Sequence, residues 1–340
     1  MSKIALLTSQ DRIDQEHGML NRLAVGLMND GDQVMRVIPP YTTDIPPEYE
    51  QSVSLIPKLH IPFTVPYLHR KEQIRTLTDV LSREKVTTLV CFGTEAKKLG
   101  SVAAPQLEAS LICEVLSMRE ASKVKKSAPV TRWFGATPSL ERTIRDRVGE
   151  DRAAFVPLGV APAPPPAEQF NPETKFAVVL HASDCPKSTF QILDAIKEIP
   201  EIHLLLELGG KKDHKIWSAI AQTNLLARTT CLKDVAALRP LILQADLILL
   251  PSHLMPVRTI LLEAMERNVP VIAPTIPGFD FLVEGETYIS VKGSWEEPLR
   301  RVLSDQELAN RIGESATSLI ASNYSSAAQI AALQAAVTLF

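Results

Sequence analysis

Apolar residues along this chain fall into short unbroken runs, separated by stretches in which they recur every third or fourth position. Ile4-Ala5-Leu6-Leu7 is followed by Met19, Leu20, Leu23, Ala24, Leu27 and Met28 at helical spacing, then by Gly31 and the run Val34 to Ile38. An unbroken run marks a strand buried on both faces, and the spaced set marks a helix with one apolar stripe. The opening therefore predicts a βαβ unit. The alternation continues with a helix from Glu72 to Leu81, strands over 87–92 and 111–115, a strand-to-helix step at Phe134 to Ser139, a helix from Leu140 to Val148 and a strand over 154–156. Residues 39–70, rich in proline and weakly periodic, predict loops and irregular strands.

At Ala161-Pro162-Ala163-Pro164-Pro165-Pro166 the pattern stops, and such a run predicts an extended, semi-rigid connector. It then resumes with a strand over 176–180, a helix carrying Phe190, Ile192, Leu193 and Ile196, and a strand over 203–208 that ends in Gly209-Gly210. A helix over 238–245 leads into a strand over 246–250, a helix bearing Ile260, Leu261, Ala264 and Met265, and a strand at Val271-Ile272-Ala273. From Glu297 onward the pattern is helical, with a break near Asn323-Tyr324-Ser325. The expected organisation is α/β: a Rossmann-like domain over 1–160, a linker over 161–172, a second Rossmann-like domain over 173–322 and a terminal helix over 323–340.

Composition narrows the function classes. A chain of 340 residues accommodates two domains of ordinary size. The net charge of −3, with lysines and arginines scattered, argues against a nucleic-acid surface. Cys91, Cys113, Cys185 and Cys231 lie far apart and read as free thiols of a reducing compartment, and the seven histidines lack paired ligand spacing, so no metal site is expected. Met1-Ser2-Lys3 leads straight into a strand, and no apolar run approaches the ~20 residues of a membrane helix. A cytoplasmic protein with at most peripheral membrane contact is expected. Lys123-Val124-Lys125-Lys126 reads as a solvated turn.

The stretch from Leu250-Pro251-Ser252 through Met255-Pro256-Val257-Arg258 to Leu262-Glu263-Ala264-Met265 reads as strand, turn and helix. A helix start at the carboxyl end of a parallel strand points unpaired N–H groups into a crevice, where phosphate is the natural guest. This block resembles the donor-site segment of family 4 glycosyltransferases, P-S-x-x-E-P-F-G-x-x-x-L-E-A-M followed by G-x-P-V-V-A. Pro251, Ser252, Pro256, Leu262, Glu263, Ala264, Met265, Pro270, Val271 and Ala273 fall on matching positions. Met255 replaces the first glutamate, Val257-Arg258 replaces Phe-Gly, and Asn268 replaces the later glycine. The resemblance implies a GT-B fold, with two Rossmann-like domains facing a central cleft and a C-terminal helix crossing back to the first domain. Residues 326–340, with Ile330, Leu333, Val337 and Leu339, suit that helix.

The same resemblance implies roles. Glu263 would hold the nucleotide ribose. At His181 to Ser188, compared with G-R-L-x-x-x-K-G, Lys187 would hold the donor diphosphate, while Ala182 replaces the arginine and both glycines are lost. Gly278 remains of a donor-contacting G-G-x-x-E loop whose glutamate falls at Phe281, and the first loop keeps a single glycine at His17-Gly18. Where the family often places acceptor-facing histidines, this chain has Cys91-Phe92-Gly93 and Glu114-Val115-Leu116.

Each residue also has a plainer explanation. Glu263 and Arg267 are spaced for an exposed helical ion pair, Lys187 for a solvated first turn, and Arg258 for an exposed loop cation. One expectation is a GT-B protein impaired as a transferase, serving as a binding or structural subunit beside a partner protein. The alternative is an active retaining glycosyltransferase with Arg258 and Lys187 on the diphosphate and Glu263 on the ribose. In a third reading the crevice takes another phosphate-bearing ligand. No cofactor beyond a nucleotide-sugar donor is expected.

Overall fold

The computed structural model describes residues 3–29, 31–40, 55–162 and 174–338. The chain divides into two compact units, one of Met1–Gly159 with Ser325–Phe340, the other of Val160–Tyr324. The expected linker over 161–172 lies, beyond its first two residues, outside the described residues.

In the first unit, β1 (Lys3–Thr8), α1 (Gln10–Asn29), β2 (Gln33–Ile38), β3 (Lys58–His60), α2 (Arg70–Arg83), β4 (Thr88–Phe92) and α3 (Thr94–Leu107) are followed by β5 (Ser110–Val115), α4 (Met118–Ala121), β6 (Arg132–Gly135), α5 (Pro138–Val148) and β7 (Ala153–Phe155). The strands form one parallel sheet in the order β3-β2-β1-β4-β5-β6-β7. All of β4 and all but the first residue of β1 are buried, which is why their sequences run apolar without alternation. Two features differ from the sequence expectation. Helix α1 begins at Gln10, so the supposed turn at His17-Gly18 lies inside it, just after a break at Glu16 (φ −133°, ψ 23°). Helix α3 left little trace in the sequence because Lys97-Lys98, Gly100 and Pro105 blur its apolar stripe.

The second unit contains β8 (Lys175–Val179), α6 (Pro186–Lys197), β9 (Ile202–Glu207), α7 (Asp213–Gln222), β10 (Thr229–Leu232), α8 (Val235–Ile242) and β11 (Leu247–Leu249), then α9 (Thr259–Glu266), β12 (Val271–Ala273), β13 (Ile289–Ser290), α10 (Glu296–Ser304) and α11 (Gln306–Asn323). Its parallel sheet has the order β10-β9-β8-β11-β12-β13. Strand order reverses between β8 and β11, and such a point opens a crevice beyond the carboxyl ends of the strands. Ile192, Leu193 and Ile196 of α6 pack with Leu204 and Leu206 of β9, Leu247 and Leu249 of β11, and Leu299 of α10 in one apolar cluster. Full burial of each such side chain contributes ~1.5–3 kcal/mol.

Helix α9 is unusual in that every residue from Thr259 to Met265 is buried. Its far end is closed by α11, where the Thr317 hydroxyl donates to the carbonyls of Met265 (3.1 Å) and Glu266 (3.2 Å). Asn268, in the turn that follows, has φ +66°, and its carbonyl lies so near Gly313 of α11 that an added Cβ would stand 2.6 Å from it.

The last helix, α12 (Ser326–Thr338), belongs to the first unit. It packs on α1, with Ile330 so close to Gly26 that an added Cβ would meet its Cγ1 at 2.7 Å. Arg132 of β6 donates from Nη1 to the Ala336 carbonyl at 3.1 Å. Together with the two parallel sheets, this is the architecture expected of GT-B.

Gly313→Ala should lower stability by ~1–3 kcal/mol, because the Asn268 backbone carbonyl must yield as well as its side chain. Denaturant unfolding of the full chain, with loss assigned to the transition that carries the second unit, measures it.

Candidate functional site

Three chain segments meet at the switch point of the second sheet. Beyond β8 comes His181, whose φ of +54° puts it in the left-handed region that a histidine adopts rarely. That backbone aims the His181 N–H at Glu207 Oε2, 2.9 Å away at the end of β9. From the loop between β11 and α9, Arg258 Nη1 donates to Glu207 Oε1 at 2.7 Å and Oε2 at 2.9 Å, and lies 3.0 Å from His181 Nε2. A guanidinium only donates, so His181 Nε2 accepts and its proton sits on Nδ1, which faces Asp184 Oδ2 at 3.1 Å. Burial alone would push the Glu207 carboxyl up, but Arg258 and His181 outweigh it and hold it below its ordinary value. Asp184 is lowered chiefly by its hydrogen bond from His181.

Arg258 corrects an expectation. It is 1% exposed, among the largest fully buried side chains, and so is not an exposed loop cation. A guanidinium out of water needs a carboxylate, and Glu207 supplies it. Its Nε and Nη2 are buried without a hydrogen-bond partner.

A second carboxylate lies at the turn after β9. Asp213 Oδ1 accepts from the backbone N–H of Gly209 (3.2 Å) and Gly210 (2.9 Å), and from the Ser183 hydroxyl. Burial raises the Asp213 carboxyl, but these donors and Lys233 prevail and lower it. Adjacent amides of this kind are anion receptors. Here the anion is the chain's own.

Glu263 is itself buried, at 8% exposure, so a solvated pairing of the kind expected with Arg267 does not suit it. Its partner is Arg239 of α8, whose guanidinium also reaches Thr259 Oγ1, one turn back on α9, at 3.4 Å. Lys187 is exposed in the first turn of α6. Gly278 follows β12 with φ +86°. Thus the fold brings Arg258 to His181 and Glu207, and Glu263 to Arg239. Met255 (4% exposed), Ala182 and Phe281 (both 0%) are core residues. Phe281 stacks on Phe279 (5.1 Å between centroids) and meets Tyr324 edge-on (5.7 Å).

Glu207, Asp213 and Arg239 were not singled out from the sequence. A signal for Glu207 was present: a lone carboxylate inside Leu204-Leu205-Leu206-Glu207-Leu208, on a strand apolar enough to be buried, must have a cation nearby. Asp213 and Arg239 gave none, because their partners are backbone amides and a residue twenty-four positions away.

Residues 164–319 match the model of the family described as Glycosyl transferases group 1. That span covers most of the second unit and all the residues just described except Tyr324. No curated protein matches the sequence. By structure, the chain is similar to HepE of Anabaena in complex with UDP and glucose, with a TM-score of 0.76 at 12% identity over 100% of both chains. Sucrose-phosphate synthase of Thermosynechococcus elongatus gives 0.73 at 15% identity, over 99% of this chain and 98% of that one. A glycosyltransferase of Rickettsia africae gives 0.73 at 13%, over 99% and 98%. At such identities the likeness is one of fold, and the fold is GT-B.

Glu207→Ala leaves Arg258 buried without its countercharge and should cost ~3–5 kcal/mol, whereas the pair Glu207→Leu with Arg258→Met should cost far less. A double-mutant cycle in denaturant measures the difference. Because Glu207 and Asp184 are lowered, the stability they contribute is complete above the ordinary carboxylate range, at about pH 5 and higher, and is lost as pH falls from that range through their lowered values. The loss of stability between neutral and acid pH should therefore be smaller in Arg258→Met, where Glu207 loses the charge that lowers it and burial raises it instead, as urea unfolding at a series of pH values would measure.

Proposed function

We propose that this chain is a glycosyltransferase-like GT-B protein whose nucleotide-sugar site is compensated from within, and that it acts as a binding or structural subunit. The observation that carries this reading is the occupancy of the anion-binding groups by the chain's own carboxylates. Glu207 holds Arg258, and Asp213 holds the Gly209 and Gly210 amides. On the ribose side Glu263 is held by Arg239. An incoming diphosphate would have to displace a carboxylate to reach Arg258 Nη1 or the Gly209 and Gly210 amides. Resemblance to the family 4 pattern supports the same reading, since an acid at Met255, a cation at Ala182 and an acid at Phe281 are all replaced by buried apolar side chains. Loss of one transition-state donor typically costs ~100-fold or more in rate, and such losses multiply unless replaced.

A second reading is favoured by two observations: Arg258 keeps its Nε and Nη2 donors unpartnered, and Lys187 is exposed in the first turn of α6. In an active retaining transferase those two cations would hold the donor diphosphate, Glu263 the ribose, and Gly278 would line the donor. UDP and glucose in the HepE complex support a nucleotide sugar as the ligand class for such a crevice.

Calorimetric titration of the purified chain with UDP, GDP, ADP and their sugar conjugates separates the two. The compensated site predicts dissociation constants weaker than about 1 mM, less than ~4 kcal/mol of binding energy. Release of nucleotide from any sugar donor, abolished in Arg258→Ala, would overturn the first reading in favour of the second.

A further inference from the structure

In the first unit, Pro66 to Glu72 is exposed at every position, including two large apolar side chains in succession. Tyr67 is 86% and Leu68 88% exposed, on a single 3-10 turn (Tyr67–His69) that buries none of its residues. Isolated exposed leucines are ordinary, but this turn gains nothing from the core, so its apolar side chains are not placed there by packing. The next two residues, Arg70 and Lys71, occupy the first turn of α2. Cations there oppose the helix dipole. Neither has an ion-pair partner among the described residues, while the neighbouring Arg75 and Lys98 have Asp79 and Glu95. Behind them opens a cavity of about 190 Å³, lined by the apolar Phe63, Ile74, Leu99 and Val102 and by Arg70 and Lys98.

We propose that this turn docks the protein on an anionic lipid bilayer, with Tyr67 and Leu68 entering the interface and Arg70 and Lys71 meeting the lipid phosphates. Charge and shape both point to that occupant. The apolar pair protrudes, as a group that enters a bilayer must. A tyrosine ring with its polar tip belongs at the level of the headgroups. Unpaired cations directly beside it complement an anionic surface, each adding about five-fold to the partition. Among the described residues no helix is long and apolar enough to cross a membrane; two apolar side chains and two cations make a peripheral, reversible contact. The inference concerns the first unit and does not depend on whether the second turns over a nucleotide sugar.

The test is sedimentation of the full chain with phosphatidylcholine vesicles, with and without phosphatidylserine. The expected result is binding that requires phosphatidylserine and weakens with salt. It should fall at least ten-fold in Tyr67→Ser/Leu68→Ser, and at least about twenty-five-fold in Arg70→Glu/Lys71→Glu, where two attractive charges are lost and two repulsive ones gained. These side chains are exposed, so the fold should persist, as circular dichroism would verify. Trp217→Ser, which removes an exposed aromatic from α7 of the second unit, should leave binding unchanged. Absence of binding to phosphatidylserine vesicles, or equal binding by both double variants, would overturn the proposal. So would a dimer in sedimentation velocity that Tyr67→Ser/Leu68→Ser converts to monomer, since the patch would then belong to a second copy of the chain.

Discussion

The guanidinium of Arg258 and the carboxylate of Glu207 are both out of water, and neither could be buried without the other. Their contact ties together the ends of three segments that the chain delivers separately: the turn after β8 through the His181 N–H, the end of β9 through Glu207, and the loop before α9 through Arg258. A pair of apolar side chains of similar volume would hold these segments about as well, so stability alone is a weak reason for the ion pair. What the ion pair adds is geometry. Arg258 Nη1 faces both carboxylate oxygens of Glu207 and the His181 ring, and the left-handed backbone at His181 turns its N–H onto the same carboxylate.

The framework was legible in the sequence because it rests on features one chain displays by itself. Unbroken apolar runs gave the strands, and the terminal apolar residues gave the helix that packs on α1. Even lost glycines were informative. His181 and Asn268 stand where the family pattern has glycine, and both keep a left-handed backbone, φ +54° and +66°. At both positions the backbone is one that glycine adopts most readily. Helix α3 does not show in the sequence because its lysines and glycine hide the stripe, and the first turns of α1 are masked because His17-Gly18 looks like a turn without the helix around it.

The site was less legible, and the reason is that charge pairing is a relation between distant residues. Arg258 beside a proline-containing loop looks solvated until Glu207, fifty-one positions earlier, is seen to reach it. Glu263 likewise has a plausible neighbour in its own helix, and only the burial of α9 on every side directs it to Arg239. Lys187 and Gly278 could be placed on their turns from sequence, since a first helical turn and a positive φ are local properties. Their chemistry depends on what else the crevice holds.

The placement of α12 bears on how the molecule is made. The second unit is continuous, from Val160 to Tyr324, whereas the first closes only when Ser325 and the residues after it arrive. During synthesis the amino-terminal sheet therefore emerges first yet waits for the carboxyl-terminal helix, with the α1 surface around Gly26 uncovered meanwhile. Domains usually complete themselves in the order in which they are translated. Here that order is inverted: of the two units, the one whose strands come first in sequence is the later to be finished, and its completion requires everything down to α12.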